Sequence, residues 1–248
     1  MRVRSPRPAA RVAAPQRVPS LDALRGLAIV AMIVYHFSFD LALFRVARFD
    51  FEHDAFWLAA RAAIVTTFLV TSGISLTLAR LQGAPGAKRW RRVAVIAACA
   101  AAVSAASFVA FPRTWISFGI LHAIAVSTVL AWPFTRAPRL ALAAGVAVVA
   151  AGLAISHPVF DARALVWIGF ATMKPPTEDY VPLFPWLGVV LAGVWLGDLL
   201  AKRSFAPLAP LARAPRAIHW LGRHSLAVYM IHQPVLIGAI AVGLGRLP

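Results

Sequence analysis

Seven apolar runs dominate the chain, at roughly 21–44, 56–79, 92–111, 116–134, 139–156, 182–200 and 220–244. A helix needs about 20 mostly apolar residues to cross the hydrocarbon core of a bilayer. The pattern therefore predicts an all-α, polytopic integral membrane bundle of about seven transmembrane helices. The fifth run is the cleanest, with no charge between Leu140 and Ser156. The first, second and seventh are interrupted by polar residues, which directs attention to them. Between the fifth and sixth runs lies the longest loop, about 157–181, with a short apolar piece at Val166–Phe170 that lies at the interface or re-enters the membrane.

Composition supports the bilayer. Sixty per cent of the 248 residues are hydrophobic and 14% are charged, against about 25% charged in soluble domains. Disorder, a coiled coil and an ordinary soluble enzyme are excluded. Cys99 is the single cysteine, so no intramolecular disulfide forms. The net charge of +16 at first suggests nucleic acid, but sorting the charges by connection removes the suggestion. Sixteen Lys and Arg residues fall on the N-terminal segment and the alternate loops that share its side; six fall on the opposite side, beside six acids. This asymmetry places the N-terminus in the cytoplasm and makes the lipid bilayer, not nucleic acid, the partner. Residues 1–19 read as a disordered basic cytoplasmic tail, and 20–248 as one membrane domain. The long basic segment and the polar residues of the first run favour a retained helix over a cleaved signal.

The first run carries Asp22, Arg25, His36 and Asp40. At about 100° per residue these four fall within an arc of about 60°. An ionisable group facing lipid costs at least about 2.5 kcal/mol, so the stripe must face protein or a water-filled cavity. Eleven residues rise about 16 Å, which puts His36 beyond mid-membrane when Arg25 lies at the cytoplasmic headgroups. His36 with Asp40 one turn on has the spacing of a general base and its orienting group; a structural contact between helices is the alternative. Arg61 lies near the outer end of the second helix, as a functional or snorkelling residue. His122, in FGILHAI, and Asp179, in EDYVPLFPWLG, are candidates for an acceptor-binding rim. In LGRHSLAVYMIHQP, Ser225, Tyr229 and His232 form a second stripe. Arg223 and His224 stand at its cytoplasmic mouth, where cations suit the phosphates of a nucleotide-containing donor. Phosphate-loop, nucleophile-elbow and zinc-helix motifs are absent, and a metal site is not expected.

The runs SLDALRGLAIVAMIVYHFSFDL, FLVTSGISLTLA, FGILHAI, DYVPLFPWLGVVLAG and LGRHSLAVYMIHQPV occur in that order between about Ser20 and Ile240. Together they resemble a bacterial membrane family related to the catalytic domain of heparan-α-glucosaminide N-acetyltransferase, a lysosomal transmembrane acetylase. Arg25 and His36 are also spaced like the Arg–His pair on the first helix of the wider superfamily of membrane acyltransferases that O-acylate surface polysaccharides. The resemblance implies that this pair is essential. It further implies a catalytic histidine in the loop after the first helix, the region of His53. Residues 1–19 offer no counterpart of the luminal domain ahead of the lysosomal enzyme's helices, so the reaction class is implied and heparan sulfate is not.

The sequence thus leads to a multi-pass acyltransferase of the bacterial inner membrane. The resemblance implies that it moves an acetyl group from cytoplasmic acetyl-CoA, a co-substrate rather than a tightly bound cofactor, to a hydroxyl or amine expected on an envelope glycan or lipid. His36, Asp40 and Arg25 are the expected catalytic residues. Arg25, Arg223 and His224 are expected on the acyl-CoA donor, and His53, Arg61, His122, Asp179 and His232 on the acceptor. A homo-oligomer is compatible with the sequence. The alternative reading is a proton-coupled transporter that relays protons through the same buried pair.

Overall fold

A computed structural model describes residues 17–245. Among the described residues there are eight α-helices, four short 3₁₀ turns and no strand. The helices are α1 (Pro19–Leu43), α2 (Ala55–Leu81), α3 (Gly86–Ala110), α4 (Ile120–Ala131), α5 (Pro138–Ala154), α6 (Leu183–Lys202), α7 (Arg216–Arg223) and α8 (Ser225–Leu244). Five of them (α1, α2, α3, α6 and α8) are long and apolar enough to cross a membrane. Helices α4 and α5 are apolar but shorter. The chain is therefore a multi-pass membrane protein of the expected class.

Two boundaries differ from the sequence reading. Helix α3 begins at Gly86, so Lys88, Arg89, Arg91 and Arg92 lie on the helix rather than in the loop before it. The seventh apolar run is two helices: α7 ends at Arg223, His224 breaks the backbone pattern, and α8 starts at Ser225. Val166–Ile168 form a 3₁₀ turn in the long loop, pinned by the Tyr180 hydroxyl donating to the Val166 carbonyl at 2.7 Å. The basic tail expected over 1–19 lies outside the described residues as far as Gln16, and α1 already begins at Pro19.

Helix α6 forms the centre, with α2 on one side and α5 on the other. Lipid is as apolar as leucine, so helices in a membrane associate by close packing of small residues. The positions bear this out. A Cβ on Gly73 of α2 would overlap the Val190 carbonyl of α6, and one on Gly193 would overlap the Val70 carbonyl of α2. Thr77 adds a hydrogen bond across the same contact, its Oγ1 donating to the Val194 carbonyl at 2.9 Å. Leu69, Val190, Leu191 and Val194 are buried in the core this creates. Helices α1, α3, α4 and α8 complete the bundle, α3 and α8 with little of their surface covered.

Gly73→Ala should therefore lower stability by about 1–3 kcal/mol, the usual cost of overpacking a close contact. Gly238→Ala on α8, where a Cβ meets nothing within 4 Å, should leave it unchanged or slightly raised. Thermal unfolding of the detergent-solubilised protein measures both.

Candidate functional site

The polar stripe of α1 meets a different helix at each end. Near its start, Arg25 donates to Asp22 at 3.3 Å and to the Ser75 hydroxyl of α2. Farther along, His36 and Asp40 face α8. The Nδ1 of His36 lies 3.1 Å from the Met32 carbonyl. A carbonyl can only accept, so this nitrogen carries the hydrogen and Nε2 holds the lone pair. His232 repeats the arrangement, its Nδ1 2.6 Å from the Tyr229 carbonyl. Its Nε2 is then an acceptor, and it lies 3.2 Å from the His36 Nδ1. The hydrogen on His36 is shared between Met32 and His232, and the His36 Nε2 is left available to take a proton.

The expected His36–Asp40 pair does not form. Side chains on a helix lean toward its N-terminus, which carries the His36 ring onto the turn containing Met32 and away from Asp40. Asp40 instead accepts a hydrogen bond from Gln233 Nε2 at 2.7 Å. Asp40 is fully buried. Its second oxygen and the carbonyl oxygen of Gln233 have no hydrogen-bond partner among the described residues. Two acceptors without donors thus stand next to the histidine pair, and buried acceptors of this kind call for an explanation.

A cavity of about 370 Å³ lies between α1, α2, α3, α4 and α8. Its mouth is lined by Arg25, Lys88, Arg91 and Arg92, and its deeper wall by Phe68, Ile120, Leu121, Leu226 and Tyr229. Tyr229 joins the cavity to the histidines, because its ring centroid is 5.5 Å from that of His232. The His36 and His232 rings are in turn 4.8 Å apart. The cations of the mouth come from α1 and α3. Arg223 and His224, expected there, do not line it; both are exposed on α7 and at its end.

At the opposite end of the bundle the remaining candidates separate into two kinds. Asp179 accepts from the Ile120 amide at 2.9 Å, holding the start of α4. Burial pushes its carboxyl up, against the Ile120 amide and Arg61, which pull it down. His122 has both ring nitrogens engaged: Nδ1 accepts from the Gly119 amide at 3.2 Å, and Nε2 lies 3.3 Å from the Ser104 hydroxyl. With both nitrogens used, His122 braces the α3–α4 connection. His53 is different, with a side chain 84% exposed and Nδ1 3.1 Å from Asp50.

The profile of the family described as heparan-alpha-glucosaminide N-acetyltransferase, catalytic, matches residues 17–234. The chain belongs to this family. No curated protein and no solved structure matches it significantly. The match runs from the residue before Val18 to Pro234, so it takes in both polar stripes, the cavity and the α7–α8 break of this N-acetyltransferase family member. Residues that the sequence reading missed as site residues are Lys88, Arg91 and Arg92 at the cavity mouth and Gln233 against Asp40. The first three share one face of α3 with Val95 and Ile96 at helical spacing, a signal that was present in the sequence.

The loops at the Asp179 end are held by carboxylates. Asp161 accepts from the Thr172 hydroxyl at 2.6 Å and its amide at 2.7 Å, and these bonds hold its carboxyl below the ordinary range. A depressed folded pKa adds stability above the unfolded value, which is lost as pH falls through the folded one. Amide exchange of residues 156–174, corrected for its intrinsic pH dependence, should accelerate below about pH 4, the ordinary aspartate value. Asp161→Asn should produce the same acceleration at pH 7.

Proposed function

We propose that this membrane acetyltransferase family member takes acetyl groups from acetyl-CoA at its basic, cytoplasmic end and passes them to a hydroxyl or amine on an envelope glycan or lipid. The observation that carries the reading is the cavity. Its four cations suit a polyanionic donor, and its apolar lining includes Tyr229 beside the histidine pair. Ligand pockets run to about 300–1,000 Å³, so one of about 370 Å³ takes the acyl arm of the donor and leaves the phosphates with Arg25, Lys88, Arg91 and Arg92. Guanidinium groups suit phosphates because their donors form a planar fork.

In this reading His36 is the general base. Its Nε2 takes the proton of the acceptor hydroxyl or amine as that atom attacks the acetyl carbonyl carbon. The carbon–sulfur bond breaks, and coenzyme A leaves as the thiolate and is protonated. His232 and the Met32 carbonyl hold the His36 tautomer that leaves Nε2 unprotonated. The unpaired oxygens of Asp40 and Gln233 suit an acceptor that brings hydrogen-bond donors, as a hydroxyl or amine does. The acceptor approaches from the end that carries His53, Arg61 and Asp179. The bacterial inner membrane is the location that fits a cytoplasmic donor and an envelope acceptor.

Acetyl-CoA at 100 times its Kd should stabilise the solubilised protein by about 2.7 kcal/mol, by linkage. Arg25→Gln should remove most of that shift. Purified protein should transfer radiolabelled acetyl to envelope extract, and His36→Ala should lower the rate by about 10²-fold or more, the usual contribution of a general base. Full transfer by His36→Ala would overturn this assignment, and comparing envelope glycans and lipids of deletion and parent strains identifies the acceptor.

A further inference from the structure

Arg223 and His224 lie outside the donor cavity, and their surroundings assign them a different partner. Arg216, Trp220, Arg223 and His224 are spaced i, i+4, i+7 and i+8, so they form one stripe along α7 and its end. All four are exposed, Trp220 by 50%. The His224 ring stacks on the Trp220 indole at 4.5 Å and 30°. Neither Arg216 nor Arg223 forms an ion pair among the described residues, whose ion pairs all lie elsewhere.

The other side of α7 is committed to α1. A Cβ on Gly222 would overlap the Asp22 carbonyl, and one on Gly26 would overlap the Ile218 carbonyl. These two contacts pair 222 with 22 and 218 with 26, so α7 runs antiparallel along the first turns of α1. The exposed stripe therefore occupies the same layer as Arg25 and the other cations of the basic end. In a membrane protein that layer is the headgroup region of the cytoplasmic leaflet, which carries anionic lipid.

We propose that the outward stripe of α7 is a docking face for anionic phospholipid headgroups, with Arg216 and Arg223 taking phosphate oxygens and Trp220 seated between them at the interface. Charge complementarity selects the occupant: two guanidinium groups without an ion pair among the described residues flank an indole on the exposed side of a helix whose opposite face is filled. The face also has a route to the cavity. Only His224 separates α7 from α8, and α8 supplies Ser225 and Tyr229 to the cavity wall and His232 to the histidine pair. A headgroup that seats α7 on α1 thereby fixes the inner end of α8. The inference rests on the membrane placement and not on the acetyl-transfer reading.

The full-length protein in dodecylmaltoside micelles doped with phosphatidylglycerol or phosphatidylcholine provides the test, read by amide exchange and by thermal unfolding. Phosphatidylglycerol should protect residues 216–224 about tenfold more than phosphatidylcholine. Arg216→Gln with Arg223→Gln should abolish the difference, since each basic residue is worth about a fivefold change in affinity for an anionic surface. Equal protection by the two lipids, or full protection of the double variant, overturns the proposal. Coenzyme A or inorganic phosphate in phosphatidylcholine micelles should leave 216–224 unchanged; protection by either identifies a soluble phosphate as the occupant and also overturns it. A photoactivatable phosphatidylglycerol on the unaltered protein should label 216–224, which keeps the test decisive if the double variant does not fold. Labelling confined to other segments counts against the face.

Discussion

A polar side chain in a lipid-embedded bundle needs a partner in its own helix, on another helix or in a water-filled cavity, because lipid offers none. In this protein that requirement acts most strongly between α1 and α8. His36 meets His232, and Asp40 meets Gln233, one turn farther along α1. Each such hydrogen bond adds only about 0.6 kcal/mol on average in membrane proteins. The larger effect is on arrangement, since an unpartnered ionisable group in the membrane costs several times more. Sliding α8 along α1 would break both contacts together. They therefore set the register that brings Tyr229 to the cavity wall and His232 beside His36.

The rest of the bundle divides by how tightly it packs. Helices α2 and α6, joined by glycine contacts and a buried apolar core, are the most covered of the long helices. Helices α3 and α8 are covered far less. The cavity sits where well-covered and little-covered helices meet, lined by α2 and α4 on one hand and by α3 and α8 on the other, with Arg25 of α1. Binding sites are commonly formed where a rigid scaffold meets less buried elements, because a substrate needs access and local opening is cheapest there.

Much of the fold was legible in the sequence because apolar run length maps directly onto the thickness of a bilayer. The two polar stripes were legible because helical spacing gathers Arg25, His36 and Asp40 on one face, and Ser225, Tyr229 and His232 on another. The i, i+3, i+4, i+7 and i+8 spacing of Lys88, Arg91, Arg92, Val95 and Ile96 was equally visible. Its cations matched the positive-inside pattern, which explained them without a cavity. Gln233 gave no signal of its own, since nothing in its neighbourhood points to a carboxylate 193 positions away. The His36–Asp40 pair illustrates the opposite error. Helical spacing brings two side chains to one face, but their tilt decides which groups meet.

By itself the sequence determined the class of solvent, the all-helical fold, which faces are polar and the family. Those properties depend on composition and on residue spacing within one helix, which are local. Only the tertiary structure decided which stripe meets which. It placed Lys88, Arg91 and Arg92 with Arg25 at one cavity, turned Arg223 and His224 outward, and gave His36 a histidine partner in place of an aspartate. Those outcomes depend on the register between helices far apart in the chain, set by close packing and by the pairing of polar groups that lipid cannot solvate.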